Sequence, residues 1–209
     1  GVGSDTMGVD IGDLDLDGAP EIAVTSSNAD PLRLFHCDRA LRCDEVSSSW
    51  GLRAATTPFK WAVGFEDFDL DGDLDVFVAN GHIYAPAGQR NQLFWNVDSR
   101  FVEHPTVEAE ALAAVQSSRA ALFGDLDGDH AVDVVVSSVG ARPQVLRNQA
   151  GCGHWIEVRV DPPVVGTRVR VSWAGHSLER QVSRSGSYLG SSATTLHFGL
   201  GLTARASVE

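Results

Sequence analysis

The sequence predicts an all-β protein: three blades of a partial β-propeller followed by a small antiparallel β domain. Three observations predict this class. An acidic motif occurs three times, a run rich in β-branched residues follows each copy, and helical character is confined to the Ala- and Glu-rich stretch 107–116. Similar segments at a fixed period indicate stacked units that share a continuous core. We place the blades at about 1–55, 56–112 and 113–150, and the β domain at 151–209.

Each repeat has the same order of predicted elements. The copies of the acidic motif start at Asp13, Asp67 and Asp125, which are 54 and then 58 residues apart. An apolar segment precedes each copy, and a further strand-like segment ending in a turn follows the β-branched run. A unit is therefore strand, acidic loop, strand, long loop, strand, hairpin and strand. Four short antiparallel strands in each unit are typical of a propeller blade.

The region after the repeats has a different pattern. Apolar and polar residues alternate over 154–160, 167–173 and 178–182, which predicts a half-buried antiparallel sheet. Its arginines alternate with apolar residues and are expected on a solvated strand face, with a carbohydrate or polyanion site as the alternative. The loop 186–192 is rich in Gly and Ser but lacks the Gly-Lys-Ser/Thr ending of a phosphate-binding loop, so we expect no nucleotide site.

The acidic motif has the pattern of a calcium-binding loop. In an Asp-x-Asp-x-Asp loop that bends back on itself, three carboxylates converge, a fourth arrives four residues later, and a main-chain carbonyl adds another oxygen. Hard oxygen ligands in this number suit Ca²⁺. The sequence therefore predicts up to three calcium ions. The predicted ligands are Asp13, Asp15, Asp17, the Ala19 carbonyl and Glu21; Asp67, Asp69, Asp71, the Asp73 carbonyl and Asp75; and Asp125, Asp127, Asp129, the Ala131 carbonyl and Asp133.

The charge distribution favours cations as ligands. The chain has 28 acidic and 16 basic residues and a formal net charge of −12, and residues 1–150 hold 24 of the acids but 10 of the bases. Such an acidic region repels phosphates, so we expect no nucleic-acid partner, and no apolar run is long enough for a membrane span. In the third loop His130 stands where the other loops have glycine, and its own Gly128 comes two places earlier. We expect this site to be the weakest or most distorted.

The cysteines give a clue to the compartment. Cys37 and Cys43 have a spacing that suits a disulfide across a hairpin, and Cys152 is left over. A disulfide would indicate an oxidising compartment outside the cytosol, whereas two reduced thiols remain the alternative. The first residues contain no basic and apolar signal peptide, so we expect any targeting signal to be absent from this sequence.

The acidic loops resemble the FG-GAP or VCBS repeats of integrin-α-type propellers. Residues 154–201, including His154–Val158 and Leu196–Gly201, resemble the ASPIC/UnbV domain that follows such blades in the cartilage acidic protein-like family. The resemblance implies calcium bound within the blades and an extracellular or cell-surface location, or a periplasmic one. Relatives have further blades before these three and a further strand at the end, so the resemblance also implies a chain truncated at both ends.

These observations favour a binding module over an enzyme. The chain has no Gly-x-Ser-x-Gly or His-Glu-x-x-His motif. We expect an extracellular module for adhesion or for binding a protein or glycan, with structural calcium. Self-association into a filament through open strand edges is one alternative. A second alternative, which rests on the resemblance alone, is an accessory component of a biosynthetic enzyme related to UnbV.

Overall fold

The computed structural model describes residues 6–26, 31–52, 58–83, 88–105, 110–149, 153–184 and 187–209. The first sheet has the order β1-β2-β3-β4 and is antiparallel throughout. Its strands are β1 (Val9–Gly12), β2 (Glu21–Val24), β3 (Arg33–Cys37) and β4 (Cys43–Glu45).

The second sheet repeats this arrangement with longer inner strands. It is formed by β5 (Lys60–Glu66) and β6 (Asp75–Asn80) and, after the short strand β7 (Gln89–Arg90), by β8 (Gln92–Asn96) and β9 (Phe101–Glu103). Its order is β5-β6-β8-β9. The four strands expected for a blade are thus present in both sheets.

The third sheet has three strands among the described residues. A 3-10 helix (Glu110–Ala113) leads into β10 (Val115–Gln116), which pairs with β7. The sheet itself contains β11 (Ser118–Gly124), β12 (Asp133–Ser138) and β13 (Gln144–Leu146) in that order. Of the stretch expected to be helical, residues 107–109 lie outside the described ranges and the rest is one short turn and a strand.

Two small sheets follow. In the first, β14 (His154–Val158) pairs with β17 (Leu196–Gly201). In the second, β15 (Arg168–Trp173) lies between β16 (His176–Gln181) and β18 (Ser207–Val208). The prediction of an all-β fold is confirmed. Within the described ranges, no helix has the length and apolar character needed to cross a bilayer.

Two apolar clusters hold the sheets together. The first joins the first two sheets to the last two, with Leu34, Val76 and Phe198 fully buried in it. The second lies between the second and third sheets around Phe77 and Phe123. Burying each such side chain stabilises the fold by about 1.5–3 kcal/mol. The C-terminal sheets therefore share a core with the first two blades rather than forming a separate body.

Hydrogen bonds between sheets follow the repeat. Asn96 donates its side-chain Nδ2–H to the carbonyl of Leu14 at 2.8 Å, and Asn148, at the equivalent position of the third repeat, donates to the carbonyl of Phe68 at 2.7 Å. Each bond joins the third strand segment of one repeat to the acidic loop of the repeat before it. In the first repeat the equivalent residue is Cys37. The first two acidic loops are thus fixed by the following blade as well as by their own.

Cys37 forms a disulfide with Cys43, its register partner on β4. The hairpin between them turns at Asp38, whose carboxylate accepts hydrogen bonds from two backbone N–H groups. From this hairpin Arg39 reaches back and donates to the carbonyl of Asp17 at 3.1 Å. The disulfide therefore braces a hairpin that touches the first acidic loop. Cys152 lies outside the described residues.

The C-terminal region also completes the edge of β11. In the second blade the N–H of Phe65 donates to the carboxylate of Asp10 in the first blade at 2.8 Å. The equivalent N–H of Phe123 donates instead to the hydroxyl of Ser192 at 3.1 Å, and the Phe123 carbonyl accepts from Ala193. A loop of the C-terminal region thus supplies to the third blade the hydrogen-bond partner that the first blade supplies to the second.

Candidate metal centres

The three acidic loops share one backbone conformation. The fourth and sixth residues of each nine-residue motif have left-handed φ angles. These angles are 59° and 82° at Leu16 and Gly18, 64° and 107° at Leu70 and Gly72, and 80° and 71° at Gly128 and His130. The third loop has exchanged the positions of glycine and a larger residue while it keeps the fold of the loop. The distortion expected in the third loop is therefore absent from its backbone.

The loops also share their hydrogen bonds. The first carboxylate accepts from the N–H of the sixth residue, and the last carboxylate accepts from the N–H of the second residue. The first of these bonds measures 3.1, 3.0 and 3.1 Å in the three loops, and the second 2.7, 2.9 and 2.9 Å. These bonds leave the Oδ1 atoms of Asp13 and Asp67 buried without a hydrogen-bond partner. A buried oxygen of this kind calls for a physical explanation, and a bound cation is one that would satisfy it.

The structure brings three carboxylates together in each loop, with one oxygen of each within 4.8 Å of the others. The groups are Asp13, Asp15 and Asp17; Asp67, Asp69 and Asp71; and Asp125, Asp127 and Asp133. Asp75 lies beside its group, but both of its oxygens accept backbone N–H bonds, from Phe68 and Asn96. At the predicted carbonyl positions, the N–H groups of Ala19, Asp73 and Ala131 donate to the carboxylate two residues earlier. Their carbonyls remain predicted ligands.

The second loop carries the strongest unbalanced charge. Burial raises the pKa of Asp67 to about 8 and that of Asp69 to about 6, with the neighbouring carboxylates adding to both shifts. Burial likewise raises the pKa of Asp73 to about 8 and that of Asp75 well above its usual range. Among the described residues, no Lys, Arg or His forms an ion pair with this loop. Its carboxylates can ionise together if a cation joins them.

The C-terminal region covers this second loop. The N–H of Gly201 donates to the carbonyl of Leu70 at 2.9 Å, and the indole of Trp173 packs against Gly72. A Cβ atom on Gly199 would collide with the Asp67 carboxylate, so β17 passes directly over that side chain. Because β17 covers the side chain of Asp67, desolvation is the main cause of its raised pKa.

The first loop has a titratable neighbour. The Nδ1 atom of His36 lies 2.9 Å from Glu21 and 3.5 Å from Asp15. The hydrogen bond with Glu21 raises the pKa of His36, while burial raises the pKa of Glu21 to about 7. When it is protonated, His36 places a positive charge beside the first loop, and a metal ion there would compete with it.

The third loop has a permanent positive neighbour. Arg147 forms ion pairs with Asp127 and with Asp129, the latter at 3.2 Å. The backbone N–H of Ala131, together with the Arg147 guanidinium, lowers the pKa of Asp129. Two of the four predicted carboxylate ligands therefore already share one positively charged side chain of the same blade.

One position of the repeat accounts for these differences. His36, Trp95 and Arg147 occupy the same place in the third strand segment of their repeats, which we call the third-strand position. It supplies a titratable base to the first loop, no charge to the second and a fixed cation to the third. Reasoning from the loop motifs alone missed these residues. Aligning the segments Leu34–Cys37, Leu93–Asn96 and Val145–Asn148 would have found them.

The donor set of the second loop fits calcium. It consists of carboxylate oxygens, at least one of them buried without a partner, in a loop whose backbone is already fixed. Oxygen-only ligands suit a hard divalent cation, and a dication would supply the charge that allows the clustered carboxylates to ionise. Asp67, Asp69 and Asp71 would hold it, with Asp75 in support.

Comparison with known families agrees with this geometry. Residues 55–136, which include the second and third acidic loops, match the family model described as FG-GAP-like repeat, and residues 157–209 match the model described as ASPIC and UnbV. No curated protein matches the chain. The two matches indicate an extracellular-type β-repeat protein. The resemblance identified from the sequence is confirmed by these two matches, one to FG-GAP-like repeats and one to ASPIC and UnbV.

Proposed function

We propose that this protein is an extracellular binding module whose blades are stabilised by structural calcium, with the second acidic loop as the principal site. One observation carries the proposal. The second loop buries Asp67 fully, leaves its Oδ1 without a hydrogen bond, and has no basic side chain in an ion pair with it among the described residues. Clustered buried carboxylates without a counter-charge disfavour the folded state unless a cation binds.

The three sites are proposed to differ in affinity. Calcium binds the second loop most tightly, since nothing competes there. At the first loop it must displace His36 from Glu21, and at the third it must displace Arg147 from Asp127. The order of affinity is therefore the second loop, then the first, then the third.

Calcium in the second loop would also support the C-terminal region. The loop contacts Gly201 of β17 and the indole of Trp173 on β15. A change in the charge of its carboxylates would therefore change the stability of that interface. An ion that binds only the folded loop adds about 2.7 kcal/mol of stability at a hundredfold excess over its Kd. The proposed role of the ion is therefore to hold blades and C-terminal sheets together, not to catalyse a reaction.

The Cys37–Cys43 disulfide supports the proposed location. Disulfides form and persist in oxidising compartments, which include the extracellular space, the cell surface and the periplasm. Calcium is abundant outside cells, so an outer location also suits the acidic loops. Both features favour a module that works at or beyond the cell surface.

A cleft beside the second blade is the proposed place for a protein or glycan partner. It has a volume of about 690 Å³ and is lined by Pro58, residues 88–92, residues 103–105 and Val115. Its side-chain amides are held by hydrogen bonds, including one of 3.1 Å from Gln92 to Glu103. Fixed amide and carboxylate groups suit ligands with hydroxyl or peptide groups. Binding screens that compare the wild type with Gln92→Ala test this assignment.

Isothermal titration of the metal-free protein with calcium tests the main proposal. We expect saturable binding that Asp69→Asn weakens by removing one charged ligand. Asp44→Asn is the matched control, because Asp44 is an exposed carboxylate on β4 and lies outside the second acidic loop. Absence of saturable calcium binding, or equal losses in both variants, would show that the second loop is not the site.

Self-association is a second candidate, favoured by the third blade. Among the described residues this sheet ends on β13, where the side chain of Val145 is 62% exposed. An apolar edge strand is a template for pairing with another chain. Sedimentation velocity in calcium, with Val145→Lys as the comparison, decides the matter: large regular species that the variant abolishes support assembly, and monomers at high concentration exclude it.

A further inference from the structure

The blades pack on one another through two different faces. In the second sheet Phe65, Val76 and Phe94 are register partners across three strands, so their side chains project from one side, which we call the front face. All three side chains are buried in the apolar cluster that also contains Ala23 and Leu34 of the first sheet. The front face of the second blade therefore packs against the first blade.

The opposite side of a blade, which we call the back face, packs against the next blade. Ala23 and Leu34 are register partners on the back face of the first sheet and are fully buried. In the second sheet the equivalent partners are Phe77 and Leu93. The ring centroid of Phe123, on the front face of the third sheet, lies 5.9 Å from that of Phe77. Both of these contacts between blades thus join a back face to the front face that follows it.

The first sheet leaves its own front face without a neighbouring blade among the described residues. That face carries Ile11, Ile22 and Phe35, which are register partners across three strands, and Val9 lies on the same side. Ile11 is 60% exposed, whereas Phe65 at the equivalent position of the second repeat is buried. The apolar surface that a neighbouring blade covers elsewhere in the protein is therefore open to solvent here.

The third sheet leaves its back face open in the part of the chain that the structure describes. Leu122, Val135 and Val145 are register partners on this face. Val145 is 62% exposed, and Leu126 in the third acidic loop is 55% exposed, although Leu14 at the same position of the first loop is buried. Exposed apolar side chains that lie together on one face are typical of an interaction surface.

The two open faces are complementary because each repeats a face that already packs within the chain. A back face receives a front face at both internal contacts, and the described part of each chain has one face of each kind left over. A contact between two different surfaces joins copies head to tail. A second copy of this chain is therefore the occupant that the repeat specifies for both faces.

One hydrogen bond of the internal contacts would be missing between copies. Asn96 and Asn148 donate from front faces to the acidic loops of the preceding blades. The first sheet has Cys37 at this position, where it forms a disulfide with Cys43. A contact between copies therefore lacks the bond to the carbonyl of Leu126 and should be weaker than the contacts within the chain.

We infer that copies of this protein associate head to tail, with the front face of the first sheet in one copy packed on the back face of the third sheet in another. Head-to-tail contact is one form of the self-association proposed above, on which it rests, and it uses two sheet faces instead of the β13 edge. Removing the apolar side chains of both faces from water drives the association. Because the two faces differ, blocking either one is enough to prevent it.

Two variants that each block one face test the contact. Ile11→Lys places a charge on the front face and Val145→Lys places one on the back face, and both positions are exposed, so the fold should tolerate them. Sedimentation velocity in calcium should show concentration-dependent association of the wild type and monomers of each variant alone. An equimolar mixture of the two variants should form a dimer and nothing larger, because each retains the face that the other has lost.

Leu202→Lys is the control, since Leu202 is 92% exposed in the C-terminal region, and it should associate as the wild type does. Val9→Lys provides a second block of the front face. Head-to-tail contact is overturned, with self-association left standing, if the wild type associates but both front-face variants do so equally, or if the mixed variants stay monomeric. A wild type that is monomeric at high concentration overturns both. Calcium binding at the second loop is measured separately and depends on neither result.

Discussion

Replacing Asp67 with asparagine should have opposite effects with and without calcium. Asparagine keeps the shape of the side chain and removes its charge. In chelator the substitution should stabilise the protein, because the native state of the wild type must either protonate this buried carboxyl or hold it charged beside Asp69 and Asp71. In calcium the variant should lose most of the stabilisation that the ion gives to the wild type.

The magnitude follows from the pKa. Burial raises the pKa of Asp67 from 3.8 to about 8, so at pH 7 the unfolded state gains on the order of 4 kcal/mol by ionising a group that stays protonated in the metal-free native state. An asparagine amide left partly unsatisfied in the same place costs about 1–3 kcal/mol. The net gain in chelator is therefore about 1–3 kcal/mol, which raises the melting temperature by roughly 2–4 °C per kcal/mol for a chain of this size.

The pH dependence provides the check. Between the unfolded and native pKa values of Asp67 the native state binds more protons, so the stability of the metal-free wild type falls as pH rises from about 4 to about 8. Asp67→Asn should make this slope shallower by up to about 1.4 kcal/mol per pH unit. Urea unfolding at several pH values, with and without calcium, measures both quantities. A variant that is less stable than the wild type in chelator at pH 7, or that keeps the full calcium response, would refute the reasoning.

Three further predictions concern the other loops and the contacts between blades. Arg147→Gln should strengthen calcium binding at the third loop by freeing its carboxylates, seen in titration calorimetry as an added or tighter site; unchanged binding would contradict the assignment of Arg147 as the competing cation. Asn148→Ala should lower the unfolding free energy by about 1 kcal/mol through loss of the bond to the Phe68 carbonyl, and no change in urea unfolding would show that bond to be unimportant. Replacing Cys37 and Cys43 with serine should cost about 2 kcal/mol, while equal stability with and without reductant would count against a stabilising disulfide.

Much of the fold could be predicted because the repeat is local. The alternation of aspartates with apolar residues, followed by β-branched runs, places strands on both sides of each loop, and the structure has them at β1 and β2, β5 and β6, and β11 and β12. The third loop, which we expect to be the weakest or most distorted site, keeps the backbone conformation of the other two for a physical reason. The loop needs left-handed φ angles at two positions, and a glycine at either position with a tolerated residue at the other satisfies the same backbone.

The chemistry of the sites was less predictable because it depends on residues far along the chain. Asp67 is buried by Gly199, and His130 is stacked on Trp155, contacts between residues more than 20 positions apart. No local pattern in the sequence shows that β17 passes over the second loop. Arg147 could have been singled out from the sequence, because it occupies a position of the repeat. Its role as a cation beside the third loop is evident only from the structure, where its guanidinium lies between two aspartates.

The third-strand position allows the charge beside each acidic loop to change one repeat at a time. Its three occupants here are an imidazole, an indole and a guanidinium on the same scaffold of loop hydrogen bonds. A single substitution at that position would replace a bound ion by a charged side chain, or the reverse, while the strands and the loop backbone stay as they are. A lineage of such chains could therefore move between calcium-rich and calcium-poor surroundings by point mutation, blade by blade, without redesigning the fold.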